Sequence, residues 1–310
     1  YRENTEEKDA AFLKLYDGHD WKWFAARLKH TDMEYLRKHW SGKKASAPTL
    51  EKKHDKYFLR FTYAEEVSLN RTPVKEQTIC SVDLGINTDA VCTIMRPDGT
   101  ILGRKFINFP SDKDRMYSVL GRIRRFQREH GSRQVQGRWA YAKRLNTELG
   151  KKIAREIVFY ASENRADVIV FEYLEMKGKL SGKKKQKLQM WKKRDIQKRC
   201  GQQAHRKGIR ISRIGAWNTS RLAFDGSGKI DRDIQDHRLC TFQNGKRYNC
   251  DLSASYNIGA RYFIREILKP LPATERSLLE AKVPAVKRRT SCVYADLRDL
   301  ISEMELRKAA

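Results

Sequence analysis

The sequence contains no CxxC pair. Its six cysteines (Cys80, Cys92, Cys200, Cys240, Cys250 and Cys292) are scattered without a regular framework, which argues against a disulfide-stapled scaffold and for a reduced, intracellular chain. No apolar run is long enough to span a bilayer and no signal-peptide pattern is present, so cytoplasm or nucleoid is the expected compartment. The seven histidines show no ligand spacing and are expected to be surface or structural residues. No internal repeat is evident. The chain opens on Tyr1 rather than Met, as a processed chain, a fragment or the ordered part of something longer would. Acids are scarce: 38 Asp and Glu stand against 65 Lys and Arg, a formal net charge of +27.

A pI near 9.9 exceeds what solubility requires, and self-repulsion of that size implies a polyanion that neutralises it. Ribosomal-type packing proteins and basic membrane-surface proteins share such a charge, but nucleic acid is the partner expected first. Aromatic residues, 10% of the chain, add surfaces on which bases can stack. At 310 residues and 40% hydrophobic content, the chain can build one large domain or two smaller ones.

Residues 21–28, 34–37 and 57–67 alternate apolar and polar positions and read as antiparallel strands of a small β module, with Trp21, Trp23 and Trp40 as its packing residues. Thr72-Pro73 then reads as a linker. Residues 78–106 read as three strands joined by tight turns, and residues 115–164 as helix, divided by Gly131 and Gly137. The β-branched run from Asp167 to Phe171 reads as a central strand buried on both faces and ending at Glu172. A basic loop (176–193), a helix (195–207), a strand (209–214), an insertion (225–249) and a helix from about Asp251 follow. The tail beyond residue 270 has an amphipathic end at 297–306.

Asp83 follows an apolar strand and precedes a Gly turn, Glu172 ends a second buried strand, and Asp251 opens a helix able to pack beside both. Taken singly, each has a plain structural explanation: a turn residue, an exposed strand end, an N-cap. Taken together, their order and setting predict three converging acids. Such a cluster is electrostatically unfavourable unless divalent cations neutralise it, and hard oxygen ligands are what magnesium takes. Two ions about 4 Å apart would activate a water and stabilise the leaving oxygen in phosphodiester cleavage.

The segments Asp83-Leu84-Gly85-Ile86-Asn87, Phe171-Glu172-Tyr173-Leu174 and Asp251-Leu252-Ser253-Ala254-Ser255-Tyr256-Asn257-Ile258 resemble the three split RuvC motifs of transposon-encoded TnpB proteins and the compact type V CRISPR effectors derived from them. Gly208-Ile209-Arg210-Ile211 leading to Asn218-Thr219-Ser220 resembles the strand and Thr-Ser turn before that family's zinc-ribbon insertion, and residues 21–67 resemble part of its wedge domain. The resemblance implies an α/β fold: an RNase H-like (RuvC) domain with a mixed sheet, split by insertions and preceded by a partial β-rich wedge module. It divides the chain into wedge module (1–74), first and second RuvC motifs (75–220), insertion (221–250), third motif and helix (251–269) and tail (270–310). It also implies an RNA-guided, metal-dependent DNA endonuclease with guide RNA and target double-stranded DNA bearing an adjacent motif as partners, and no membrane. Asp83, Glu172 and Asp251 take the roles of catalytic, magnesium-binding acids, with Glu175 as an alternative middle acid. The family's recognition helices have no counterpart in this sequence.

The insertion departs from the family pattern. Where two CxxC pairs would hold zinc, only Cys240 and Cys250 stand, with His237 the one nearby helper. Zinc is therefore not expected, and a metal-free hairpin turning at Asp225-Gly226 and Asn244-Gly245 is. Two basic stretches are candidates for phosphate contact: Arg124, Arg125, Arg128 and Arg138, interleaved with Phe126 and Trp139, and Lys183, Lys184, Lys185, Lys192, Lys193 and Arg194 around Trp191. Two rival readings stay open: an RNA-guided DNA-binding protein whose nuclease is silent, and a guide-free RuvC-type nuclease or transposase.

Overall fold

The computed structural model describes residues 1–3, 9–53, 55–131, 135–173 and 193–309, and the chain divides into two compact units, Tyr1–Val67 and Ser68–Ala310. In the first, β1 (Arg2–Glu3), β2 (Ala10–Tyr16) and β3 (Trp21–Arg27) form an antiparallel sheet followed by helix α1 (His30–Trp40). Strands β4 (Lys44–Ala45) and β7 (Tyr63–Ala64) then pair, as do β5 (Thr49–Lys53) and β6 (Lys56–Arg60). Residues 34–37, expected as a strand, lie inside α1; four alternating residues are too few to separate period 2 from period 3.6, and the helix is settled by buried Met33 and by Arg37, Lys38 and His39 in its last turn. Trp40 packs as expected, stacked on Tyr63 at 5.1 Å. Trp21 and Trp23 do not: they are 59% and 44% exposed. Tyr16 pairs with Trp21 and Lys14 with Trp23, so these side chains share one sheet face that stays open.

In the second unit β8 (Ile79–Asp83), β9 (Ala90–Met95), β10 (Ile101–Ile107), β11 (Val168–Tyr173) and β12 (Arg210–Gly215) form one mixed sheet in the order β10-β9-β8-β11-β12. Strand β9 runs antiparallel to both its neighbours, whereas β11 runs parallel to β8 and β12. Helices α2 (Pro110–His130) and α3 (Gln136–Glu163) separate β10 from β11, and α4 (Lys193–His205) precedes β12. Among the described residues α2 ends before Gly131, whose φ is 73°, and Gly137 lies inside α3. Three short antiparallel strands, β13 (Asp231–Arg232), β14 (Leu239–Thr241) and β15 (Arg247–Asn249), lead into α5 (Cys250–Leu268), followed by α6 (Ala273–Lys282) and α7 (Tyr294–Ala309).

Strand alternation sorts the side chains into two cores. Ile79, Val91, Val168 and Val170 pack with α5, α6 and α7 on one face of the sheet. Cys80, Val82, Ile169 and Phe171 pack with α3 and α4 on the other. β8, β9 and all of β11 except Tyr173 are buried, as the β-branched run between Asp167 and Phe171 predicts for strands covered on both sides. Gly259 lets α5 lie close to the sheet, because a Cβ there would meet Met95 Cε at 2.8 Å.

The insertion turns where expected, at Gly226 (φ 80°) and Gly245 (φ 83°). Ala223, Cys240, Phe242 and Cys250 form its small core, with Phe224 and Tyr248 packed against them. Among the described residues, no helix is long and apolar enough to cross a membrane. Glu175, Lys183, Lys184, Lys185, Trp191 and Lys192 lie outside the described residues.

Candidate active site

The two strand-borne acids meet through register. Phe171 of β11 pairs with Val82 of β8 in a parallel ladder, so the next residues, Glu172 and Asp83, stand side by side. Both follow the alternation that sends Ile79, Val168 and Val170 toward α5. The third acid comes from the first turn of α5, whose entry is fixed by Asn249, its side chain accepting from Leu252 N at 2.9 Å. Gly85 closes the turn after β8: a Cβ there would lie 2.5 Å from the Thr88 carbonyl oxygen and 3.8 Å from Asp251 Oδ2. The glycine of the Asp-x-Gly pattern is thus required by the close approach of the Thr88 carbonyl, while Asp251 lies at ordinary contact distance from the turn.

Asp83, Glu172 and Asp251 line one cavity of about 380 Å³, together with Lys193, Thr219, Ser220, Arg232 and His237. Burial, reinforced by the charges of Glu172 and Asp251, pushes the Asp83 carboxyl well above the usual range; Lys193 and Arg232 offset part of this. Burial also raises Asp251, against a hydrogen bond from Thr88 and the fields of Arg232 and Arg238. Glu172 is held differently. Lys193 Nζ donates to its Oε2 at 2.9 Å, the Thr219 hydroxyl donates to its Oε1, and Gln197 Nε2 donates to its backbone carbonyl at 3.0 Å.

Thr219 is set by α5. Fully buried Asn257 donates to Thr219 O at 3.0 Å and Leu222 O at 2.9 Å, and accepts from Tyr294 N at 3.1 Å. Arg261, one turn further on, donates to the carbonyls of Gly215, Trp217 and Cys292 at 2.8–2.9 Å, and burial lowers its pKa to about 10. The end of β12 and the turn carrying Thr219 are therefore clamped to the helix that carries Asp251.

The three acids have the donor chemistry of a hard divalent-cation site: carboxylate oxygens whose charge the surrounding protein only partly compensates. Asp83 and Asp251 carry the uncompensated part, while both oxygens of Glu172 are engaged by Lys193 and Thr219. Among the described residues, no three His, Cys, Asp or Glu side chains are gathered closely enough to grip one ion as they stand.

One expectation is corrected here. Lys193, expected among the phosphate contacts, is buried at the start of α4 with its ammonium 2.9 Å from Glu172 Oε2, beside the three carboxylates. His237, exposed as a surface residue should be, also lines the acid cavity from the insertion, its Nδ1 3.1 Å from Asp233 O. Arg232, from the same insertion, was carried by no motif; its placement depends on the β13–β14 pairing, which residue spacing does not reveal. Cys240 and Cys250 sit in the apolar core of the insertion, where burial raises both thiols, Cys240 to about 12. Arg124, Arg125 and Arg128 are exposed on α2, Arg138 on α3 and Arg194 on α4. The Arg138 guanidinium lies 4.3 Å over the Phe126 ring.

No protein-family model matches the chain, and no curated protein sequence is similar to it. Similar solved structures include the Cas12f1–sgRNA–target DNA complex, at TM-score 0.48 and 18% identity, covering 67% of this chain and 54% of that one. A CRISPR-Cas12f ternary complex matches at TM-score 0.43 and 15% identity, covering 76% and 49%. A Cas12i–crRNA–dsDNA complex matches at TM-score 0.45 and 9% identity, covering 99% and 53%. The chain spans about half the length of each of these proteins.

Proposed function

We propose that this chain is an RNA-guided DNA endonuclease that hydrolyses phosphodiester bonds at Asp83, Glu172 and Asp251. The observation that carries the nuclease reading is the meeting of three acids from β8, β11 and the start of α5 in one cavity, on a sheet ordered β10-β9-β8-β11-β12 with only β9 antiparallel to its neighbours. That order and that one reversed strand are what an RNase H-like, RuvC-type domain requires. In this reading residues 75–220 and 251–269 form the nuclease core, 221–250 its insertion, 1–74 a partial wedge module and 270–310 the tail. The guide-RNA part of the reading rests on the likeness of the three acid-bearing segments to the split TnpB motifs, and the +27 charge agrees with a nucleic-acid partner.

Magnesium held by the acids would supply Lewis-acid activation of water and stabilisation of the leaving oxygen. The chain supplies the rest. Asp83 and Asp251 offer the oxygens, Lys193 and Thr219 orient Glu172, and Arg232 and His237 present donors at the cavity wall where a scissile phosphate would lie. Arg124, Arg125, Arg128, Arg138 and Arg194 would hold backbone phosphates without reading sequence.

The test is to purify the protein from its native locus, sequence the bound RNA, and offer the complex DNA matching that RNA in the presence of magnesium. A discrete RNA with magnesium-dependent cutting that fails in Asp83→Ala supports the reading. A discrete RNA with tight binding and no cutting favours a silent roadblock, and the absence of RNA removes guidance and leaves a guide-free nuclease.

A further inference from the structure

The cavity is not electrostatically even. Lys193 and Glu172 form an ion pair at 2.9 Å with side chains only 8% and 7% exposed, so the ammonium is a fixed part of the cavity wall rather than a fluctuating surface charge. Glu172's other oxygen receives the Thr219 hydroxyl, which Asn257 holds in place. Asp83 meets Lys193 and Arg232 through their fields, and Asp251 receives, among the described residues, the Thr88 hydroxyl bond and the fields of Arg232 and Arg238. Three carboxylates bring three negative charges into a cavity of about 380 Å³. The Lys193 ammonium and one divalent cation already match them, and the exposed Arg232 guanidinium on the same wall adds a further, solvent-screened positive charge. A second divalent cation beside Lys193 would leave at least two surplus positive charges in a partly dry space, a cost that an entering phosphate would relieve.

We infer that Lys193 is the resident cation of the Glu172 half of the site, so that without nucleic acid the chain takes one divalent cation, held by Asp83 and Asp251. A second ion reaches Glu172 only when the Lys193 ammonium leaves it. Lys193 is thus a positioning residue that sets metal occupancy. The inference rests on the reading of the three acids as a cation site.

The experiment is a Mn²⁺ titration of the full chain, freed of nucleic acid at high salt, with free Mn²⁺ counted by electron paramagnetic resonance. The relevant sites are those lost in Asp83→Ala. The wild-type chain should bind one such ion, Lys193→Arg should also bind one, and Lys193→Met, of similar length but uncharged, should bind two. If Lys193→Met does not fold, Lys193→Gln serves the same purpose. Two ions in the wild-type chain, or one in every folded Lys193 variant, would overturn the inference and leave the cation site standing. No Asp83-dependent Mn²⁺ in any chain would overturn the cation site itself, and the inference with it.

Discussion

The acids of the cavity and its cations come from different parts of the fold. Asp83 and Glu172 end adjacent parallel strands in the most buried part of the sheet, and Asp251 opens a helix almost wholly covered by neighbours. Lys193 starts a helix, while Arg232 and His237 lie on an insertion with its own small core. The negative half is thus fixed by sheet register and helix packing, and the positive half is laid over it by segments that do not build the sheet. Exchanging the cations should retune the site, whereas exchanging the acids should abolish its chemistry.

The sharpest break comes from the negative half. Asp83→Ala should lower cutting of guide-matched DNA by about 1000-fold, equivalent to about 4 kcal/mol of transition-state stabilisation, while guide RNA binding by filter retention stays near wild type. Next is the clamp joining the two halves. Asn257→Ala removes three hydrogen bonds, to the buried Thr219 carbonyl and the half-buried Leu222 carbonyl and Tyr294 N–H, and should cost about 2–3 kcal/mol in chemical denaturation. Thr219→Val keeps shape but removes the donor to Glu172; cutting should fall about 10- to 100-fold with little change in DNA affinity, and Thr219→Ser should recover most of it.

A smaller effect tests the uncompensated charge directly. The folded pKa of Asp83 is raised, so the cost its carboxylate imposes on the fold is absent below the ordinary value of 3.8, grows as the pH rises above it, and is complete once the pH passes the folded value. Metal-free Asp83→Asn should therefore be more stable than wild type at neutral pH, by about 0.5–2 kcal/mol, and the gap should close as the pH falls toward 3.8. Smallest is the outlying basic surface: Arg138→Ala should reduce the salt slope of nucleic-acid binding by about one and weaken all sequences alike.

The negative half was legible in the sequence because its determinants are local. An apolar run ending in an acid gives β8 and β11, and Gly85 marks the turn that Thr88 crowds; the helix cap, which Asp251 taken singly would suggest, is instead Asn249. The hairpin turns of the insertion followed from the same short-range chemistry, whereas the pairing of β8 with the distant β11 is not written in any local pattern. The basic half was not legible, because Lys193, Arg232 and His237 acquire their roles from elements distant in sequence. Lys193 in particular reads as one of a basic run, and only the approach of α4 to β11 separates it from the rest. Residues 34–37 failed for the opposite reason, a local pattern too short to fix its own period.

The most direct test of the account is anomalous diffraction at the manganese edge from crystals of the full chain grown with Mn²⁺. The account predicts a peak bounded by the Asp83 and Asp251 carboxylates, absent in Asp83→Ala. Well-ordered carboxylates with no peak between them at saturating Mn²⁺ would contradict it.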